Sequence, residues 1–301
     1  MPDPIFTPDP PEDFDEFWAA VNAEVTAAPL DYHRSLTNDF GLEGFVVETF
    51  RFRGVHGEEL YGWLAYPEGA RRLPAFVWVP PYGRESLLPN RYGTREGFCS
   101  LSLNFFGHGA FHQEKYTPSR GYFAQGVDDP ETWVFRGMIQ NALMAVRVLQ
   151  AQVEADEDRI GAMGMSQGAG LSIALGAHSP IVKAVCADMP FLGGRHYILS
   201  RNAYRYPLKE LLDFADTIPM GLDRVKYTLS YFDSINQATR CHVPTHVTLG
   251  LKDPACRPES VEGVFEALAT SRKVLRRYDV GHDWFPDMVE NNRQWLLENL
   301  K

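Results

Sequence analysis

A serine, an aspartate and a histidine stand where they could act together on an acyl group. Ser166 is the apex of Gly164-Met165-Ser166-Gln167-Gly168, which ends an apolar run from Ile160 and leads into Leu171-Ser172-Ile173-Ala174-Leu175 at helical spacing. This pattern predicts a strand, a hairpin-tight bend and a helix. Gly164 and Gly168 have a steric reason, because the flanks of such a bend come so close that a Cβ on either would clash. The apex residue is forced into a strained conformation that lifts its hydroxyl above the sheet, with the helix N-terminus aimed at it. A bare G-x-S-x-G occurs by chance in many proteins and a plain strand–helix turn is the alternative; the placement between strand and helix favours a nucleophile.

A serine hydroxyl is a poor nucleophile at neutral pH, so it needs a base within reach and an acid to orient that base. In folds with this bend the partners follow in the order Ser, then Asp or Glu, then His. After Ser166 come His178, His196, His242, His246 and His282. Only His282 follows the last expected strand, in Asp279-Val280-Gly281-His282-Asp283, where the competing reading is a solvated loop histidine. The acid is expected just past the strand Thr245 to Gly250, and Asp253 is there. Asp188, after the preceding strand, is the rival, with loop bonding beside Pro190 as its alternative role. The oxyanion of acyl transfer needs two backbone donors. One is the N–H of Gln167. The other belongs to the loop after Val79, where Pro80 and Pro81 have no N–H to give and Tyr82 is the first possible donor. The Tyr82 ring could equally serve only in packing.

Metal chemistry has weaker support. His108 and His112 are spaced i, i+4 after a Gly-rich loop with no obvious third ligand, and His242 and His246 flank Pro244 at a strand entrance, where such spacing does not converge. No metal and no cofactor is expected. The formal net charge of −10 argues against a nucleic-acid or anionic-membrane partner and is compatible with a small neutral or cationic substrate. No run reaches the ~18 apolar residues of a membrane span. The opening Met1-Pro2-Asp3-Pro4 lacks the parts of a signal peptide. Of the scattered cysteines, Cys99 and Cys186 lie in apolar strand-like runs and read as buried thiols. Together these point to the cytoplasm.

The elements that must hold these residues follow from periodicity. Over 301 residues a large core is available, and one α/β domain can span the whole length. Residues 1–40 read as a Pro-rich acidic arm followed by an amphipathic helix with Phe14, Phe17, Trp18, Val21 and Val25 on one face. Phe45 to Phe52 and Leu60 to Tyr66 alternate and predict an antiparallel hairpin. Then apolar strands alternate with helices: Ala75 to Val79, Phe98 to Phe105, a helix stripe from Met138 to Leu149, Ile160 to Met165, Val182 to Ala187, Thr245 to Gly250, a helix over 260–269, and Lys273 to Tyr278. That rhythm predicts a mostly parallel sheet covered on both faces, with chemistry beyond the carboxyl ends of its strands. Residues 191–240, with helical patches at Leu208 to Ala215 and Val225 to Tyr231, read as a cap-like insertion.

With these residues in place the chain resembles one family, the acetyl xylan esterases and cephalosporin-C deacetylases of carbohydrate esterase family seven, within the α/β-hydrolases. The resemblance is carried by Ser166-Gln167-Gly168, Asp253-x-x-Cys256-x-Pro258 and Gly281-His282. It extends to Pro11 through Trp18, Gly121 through Arg136, Ala187 through Leu192 and Leu229 through Asp233. It implies Ser166 as nucleophile, His282 as base, Asp253 as its orienter and an oxyanion hole from the Tyr82 and Gln167 backbones. It further implies removal of acetyl groups from small sugars or cephalosporin C without a cofactor, in a homo-oligomer, often a hexamer. Phe106-Gly107-His108-Gly109 stands where the family has Arg-Gly-Gln-Gly, Gly168-Ala169-Gly170 replaces a glycine run, and Asp283 replaces a glutamate. A peptidase, a thioesterase or a general carboxylesterase could use the same three residues, and a silent binding protein could retain the fold.

Overall fold

The computed structural model describes residues 6–83, 87–114 and 119–301. The chain opens with helix α1 (Phe14–Ala27), then strands β1 (Tyr32–Leu36), β2 (Phe45–Arg53), β3 (Glu59–Pro67), β4 (Leu73–Val79) and β5 (Cys99–Leu103). Helix α2 (Val134–Gln150) leads to β6 (Ala155–Met165), α3 (Gln167–His178) and β7 (Val182–Asp188). Between β7 and β8 (Thr245–Gly250) lie the short α4 (Arg195–Tyr197), a π-helical turn over Ile198–Asn202, α5 (Lys209–Ala215), α6 (Gly221–Phe232) and α7 (Ser234–Ala238). Helix α8 (Pro258–Ala267), β9 (Lys273–Tyr278) and α9 (Pro286–Asn299) complete the chain.

Among the described residues nine strands form one sheet in the order β1-β2-β3-β5-β4-β6-β7-β8-β9. The pairs from β1 to β5 through β2 and β3 are antiparallel, and all pairs from β5 through β4 to β9 are parallel. Alternation along β4 explains why the central runs are apolar throughout. Ala75, Val77 and Val79 enter the large core beneath α1, α2 and α3, whereas Phe76 and Trp78 enter a second core with Phe98, Met163, Cys186, Leu296 and Leu300. A strand buried on both faces has no polar side to show.

The hairpin, the alternating strands and the helices fall where periodicity places them, most ends moved by a residue or two, while β6 starts five residues before Ile160 and α2 four before Met138. Three features differ. Residues 1–40 hold not only the arm and α1 but also the edge strand β1, whose side chains are largely exposed and so show no apolar alternation. The interval 191–240 carries more helix than two patches. Past His282, α9 buries Met288, Asn292 and Leu296, a stripe that is polar at its centre and breaks the expected pattern.

Candidate active site

Strand β6 brings Met165 opposite Asp188 of β7 and Gly164 opposite Val79 of β4. The next residue, Ser166, has φ 57° and ψ −119°, outside the regions comfortable for a side chain. Its N–H donates to the Asp188 carbonyl at 2.8 Å, and its own carbonyl accepts the N–H groups of Ala169, Gly170 and Phe191, each at 3.1 Å. These bonds hold the bend from β7, from the loop that follows it and from α3. A Cβ on Gly168 would stand 2.1 Å from the Val79 carbonyl oxygen, and one on Gly164 would stand 2.5 Å from the Gly168 carbonyl carbon. Both glycines are therefore required by close approach.

Asp253 and His282 come together beside this apex. His282 Nδ1 lies 2.7 Å from Asp253 Oδ2, and Oδ1 of the same carboxylate accepts from the N–H groups of Ala255 at 2.7 Å and Cys256 at 2.9 Å. An ionised carboxylate can only accept, so Nδ1 carries the proton and Nε2 keeps its lone pair. The carboxylate is wholly buried and the imidazole is a quarter exposed, which leaves the ring edge open to a substrate. Among the described residues the side-chain contact of the Ser166 hydroxyl is Cys256 Sγ at 3.9 Å rather than the imidazole. Catalytic hydrogen bonds of unliganded sites are often long and tighten when substrate binds.

The reading from sequence gave Cys256 no part here. Its thiol is pushed well above the ordinary range by burial and by the Asp253 charge, so it stays protonated and does not compete as a nucleophile. Asp253, Cys256 and His282 do present possible metal-ligand atoms within 4.8 Å of one another. Both Asp253 oxygens and His282 Nδ1 are already bonded, so this arrangement is satisfied as an acid–base relay. Elsewhere, His112 packs under Gly107 and lies 3.8 Å from Glu114, while His108 meets the edge of Tyr61. His246 is buried and bonded to Asn292, whereas His242 is exposed, so that pair does not converge.

The loop after β4 reaches the bend through Tyr82 and Gly83. Tyr122 bridges the two, its hydroxyl donating to Gln167 Oε1 at 3.2 Å and accepting from the Gly83 N–H at 3.4 Å. The Tyr82 ring does pack, 4.9 Å from Tyr122 and 6.0 Å from Phe123. As first residue of α3, Gln167 has no carbonyl within the helix to receive its N–H. Phe106 stacks 4.2 Å from Tyr122, so the residue that departs from the family's arginine joins this aromatic wall. Tyr122 itself was missed; its only sequence signal was its place at the head of the Gly121–Arg136 segment. That segment is fastened by the buried Glu210 of α5, which accepts from the N–H groups of Gly121 at 2.6 Å and Ala124 at 3.4 Å.

Asp188, the rival acid, is held elsewhere. Its carboxylate accepts from the Thr248 hydroxyl and the Asn292 side-chain amide, both at 2.8 Å, and burial raises it from 3.8 to about 6. Asn292 Oδ1 in turn accepts His246 Nδ1–H at 2.9 Å. The carboxylate therefore belongs to a buried network beneath α9, while its backbone supports Ser166.

Ser166 and His282 open into one pocket of about 390 Å³, walled by Tyr82, Phe191, Arg205 and Trp284 among others. A strained serine at a strand–helix bend, on a mostly parallel sheet and beside a His–Asp pair from later loops, defines an α/β-hydrolase. The chain belongs to the acetyl xylan esterase (AXE1) family, which matches residues 7–299, and is a carboxylic ester hydrolase acting on acetyl esters. It is similar to the acetyl esterase Axe7A of Xylanibacter ruminicola, 23% identical over 97% of this chain and 68% of that protein. Among solved structures it resembles an acetyl xylan esterase from Paenibacillus sp. R4, with TM-score 0.88, 25% identity and coverage of 98% and 96% of the two chains. Acetyl xylan esterase 1 from Thermoanaerobacterium sp. JW/SL YS485 shares the fold at TM-score 0.84 and 24% identity, over 98% of this chain and 96% of its own.

Proposed function

We propose that the chain is a serine esterase that frees acetate from small acetylated molecules, sugars foremost, through an acyl-enzyme. The observation that carries this reading is the strained Ser166 sharing one pocket with an imidazole whose Nδ1 is fixed by Asp253. Ser166 Oγ attacks the ester carbonyl as His282 Nε2 takes its proton. The N–H groups of Tyr82 and Gln167 receive the oxyanion. The alcohol leaves with the proton from His282, and water repeats the sequence to release acetate and restore the serine. Asp253 stabilises the imidazolium formed in each half. The proposal includes one hydrolase domain with residues 191–240 as a cap-like wall, a homo-oligomer, and a cytoplasmic setting. Among the described residues no helix is long and apolar enough to cross a membrane.

The test is Ser166→Ala assayed on 4-nitrophenyl acetate beside an aminoacyl anilide and an acyl thioester. Loss of ~10⁴-fold or more in kcat on the acetate, with the fold retained, is expected, because removing the nucleophile costs about as much as removing the triad. Retention of a tenth of the activity would remove Ser166 from its role. Pro81, Tyr82 and Phe191 line the pocket, and each added methylene against a filled wall costs ~1–3 kcal/mol. The rate should therefore fall from acetyl to butyryl and be nearly lost at octanoyl, and a preference for butyryl or longer esters would mark a general carboxylesterase instead.

A further inference from the structure

Arg205 lies between the π-helical turn and α5 and lines the same pocket as Ser166 and His282. It is the arginine among the pocket's lining residues, whereas Arg257 just beyond donates to Asn202. The exposed Arg205 side chain makes no hydrogen bond or ion pair among the described residues. A carboxylate also lines the pocket, that of Asp283, whose Oδ1 accepts the Trp284 N–H at 2.7 Å. Among the described residues it forms no ion pair with Arg205. The remaining acid at the site, Asp253, is spent on His282 and backbone donors.

The chain as a whole carries a formal charge of −10 and repels anions at long range. An unpaired guanidinium at the pocket supplies a positive charge there against that background. Its neighbours on the lining include Phe191, Leu208 and Trp284, whose apolar surfaces lower the local dielectric and strengthen any ion pair formed there. The fork of N–H donors fits a carboxylate in a two-point contact that a lysine cannot reproduce.

We infer that Arg205 is a specificity-determining residue that receives a carboxylate on the alcohol part of the substrate. The preferred ester is then the acetate of a hydroxy acid, an acidic sugar included. The inference rests on the esterase reading and deepens it. Arg205 takes no part in bond making: water still cleaves the acyl–oxygen bond through the acyl-enzyme, giving acetate and the free hydroxy acid. The carboxylate only fixes the alcohol side while Ser166 attacks.

The test measures acetate release from 3- and 4-acetoxybenzoate and from their methyl esters, which match them in shape without the charge. The ratio of kcat/KM for acid over methyl ester should fall about tenfold or more in Arg205→Gln, chiefly through KM. Arg205→Lys, which keeps the charge and loses the fork, should fall between. Added salt should slow the acids with the wild type and leave their rates flat with Arg205→Gln. An equal ratio in wild type and Arg205→Gln would overturn the inference while leaving the esterase intact. Failure of the wild type to release acetate from either kind of ester would overturn the esterase reading and this one with it.

Discussion

Asp253 offers one oxygen to His282 Nδ1–H and the other to the backbone N–H groups of Ala255 and Cys256. This fixes what an amide would do in its place. In Asp253→Asn the two backbone donors would claim the amide oxygen, turning the NH₂ toward the imidazole. Nδ1 would then have to accept, the proton would move to Nε2, and the proposed base would be lost. A fall of ~10³–10⁴ in kcat on 4-nitrophenyl acetate is expected with little change in fold; a fall below tenfold would assign the orienting role to another group. The meeting of Ser166, Asp253 and His282 was legible in the sequence because each sits just past a recognisable strand. Cys256 and Tyr122 were not. Both lie in segments that carry the family resemblance, but their parts depend on contacts with Ser166 and Gln167 that only tertiary packing creates.

The same division holds for whole elements. Runs with one consistent period, such as β4, β6 and α2, could be placed from sequence. The exposed edge strand β1 and the helix α9, whose buried stripe passes through Asn292, could not. The link from α5 through Glu210 to the 121–124 segment, and from Tyr122 to Gly83 and Gln167, gives a helix of the 191–240 insertion a hold on both sides of the proposed oxyanion site. Tyr122→Phe removes the bridge while keeping the ring. It should lower kcat on 4-nitrophenyl acetate by about tenfold with KM little altered, given ~1–3 kcal/mol for a buried polar group left unpaired. Glu210→Gln, which weakens the upstream hold, should shift kcat in the same direction. Wild-type kcat in both variants would mean that the loop is positioned without them.

At the scale of the molecule, the network beneath α9 ties stability to pH in two opposing ways. Burial lowers His246 to about 4, so between the ordinary histidine value and about 4 the unfolded chain binds the extra proton and acid favours unfolding. That contribution is present at neutral pH and is lost as pH falls through about 4. Asp188 is raised from 3.8 to about 6, so its contribution is present below 3.8 and is lost as pH rises through about 6. His246→Gln should therefore lower Tm most near pH 7, and the difference from wild type should shrink as pH approaches 4. A difference constant across that range would exclude His246 as a source of acid sensitivity. Ser166 sets a different balance. Its left-handed φ of 57° is a conformation in which only glycine rests easily, and holding any other side chain there costs ~1–3 kcal/mol. Ser166→Ala keeps that burden, whereas Ser166→Gly sheds it and gives back only the ~0.5–1 kcal/mol of chain entropy that glycine brings. The glycine variant should melt above the alanine variant by up to a few degrees, at roughly 2 °C per kcal/mol for a chain of this size. On that account resistance to heat and the proposed power of Ser166 to turn over an ester are rivals at a single residue, and any selection of this chain for endurance alone would drift toward erasing its proposed nucleophile.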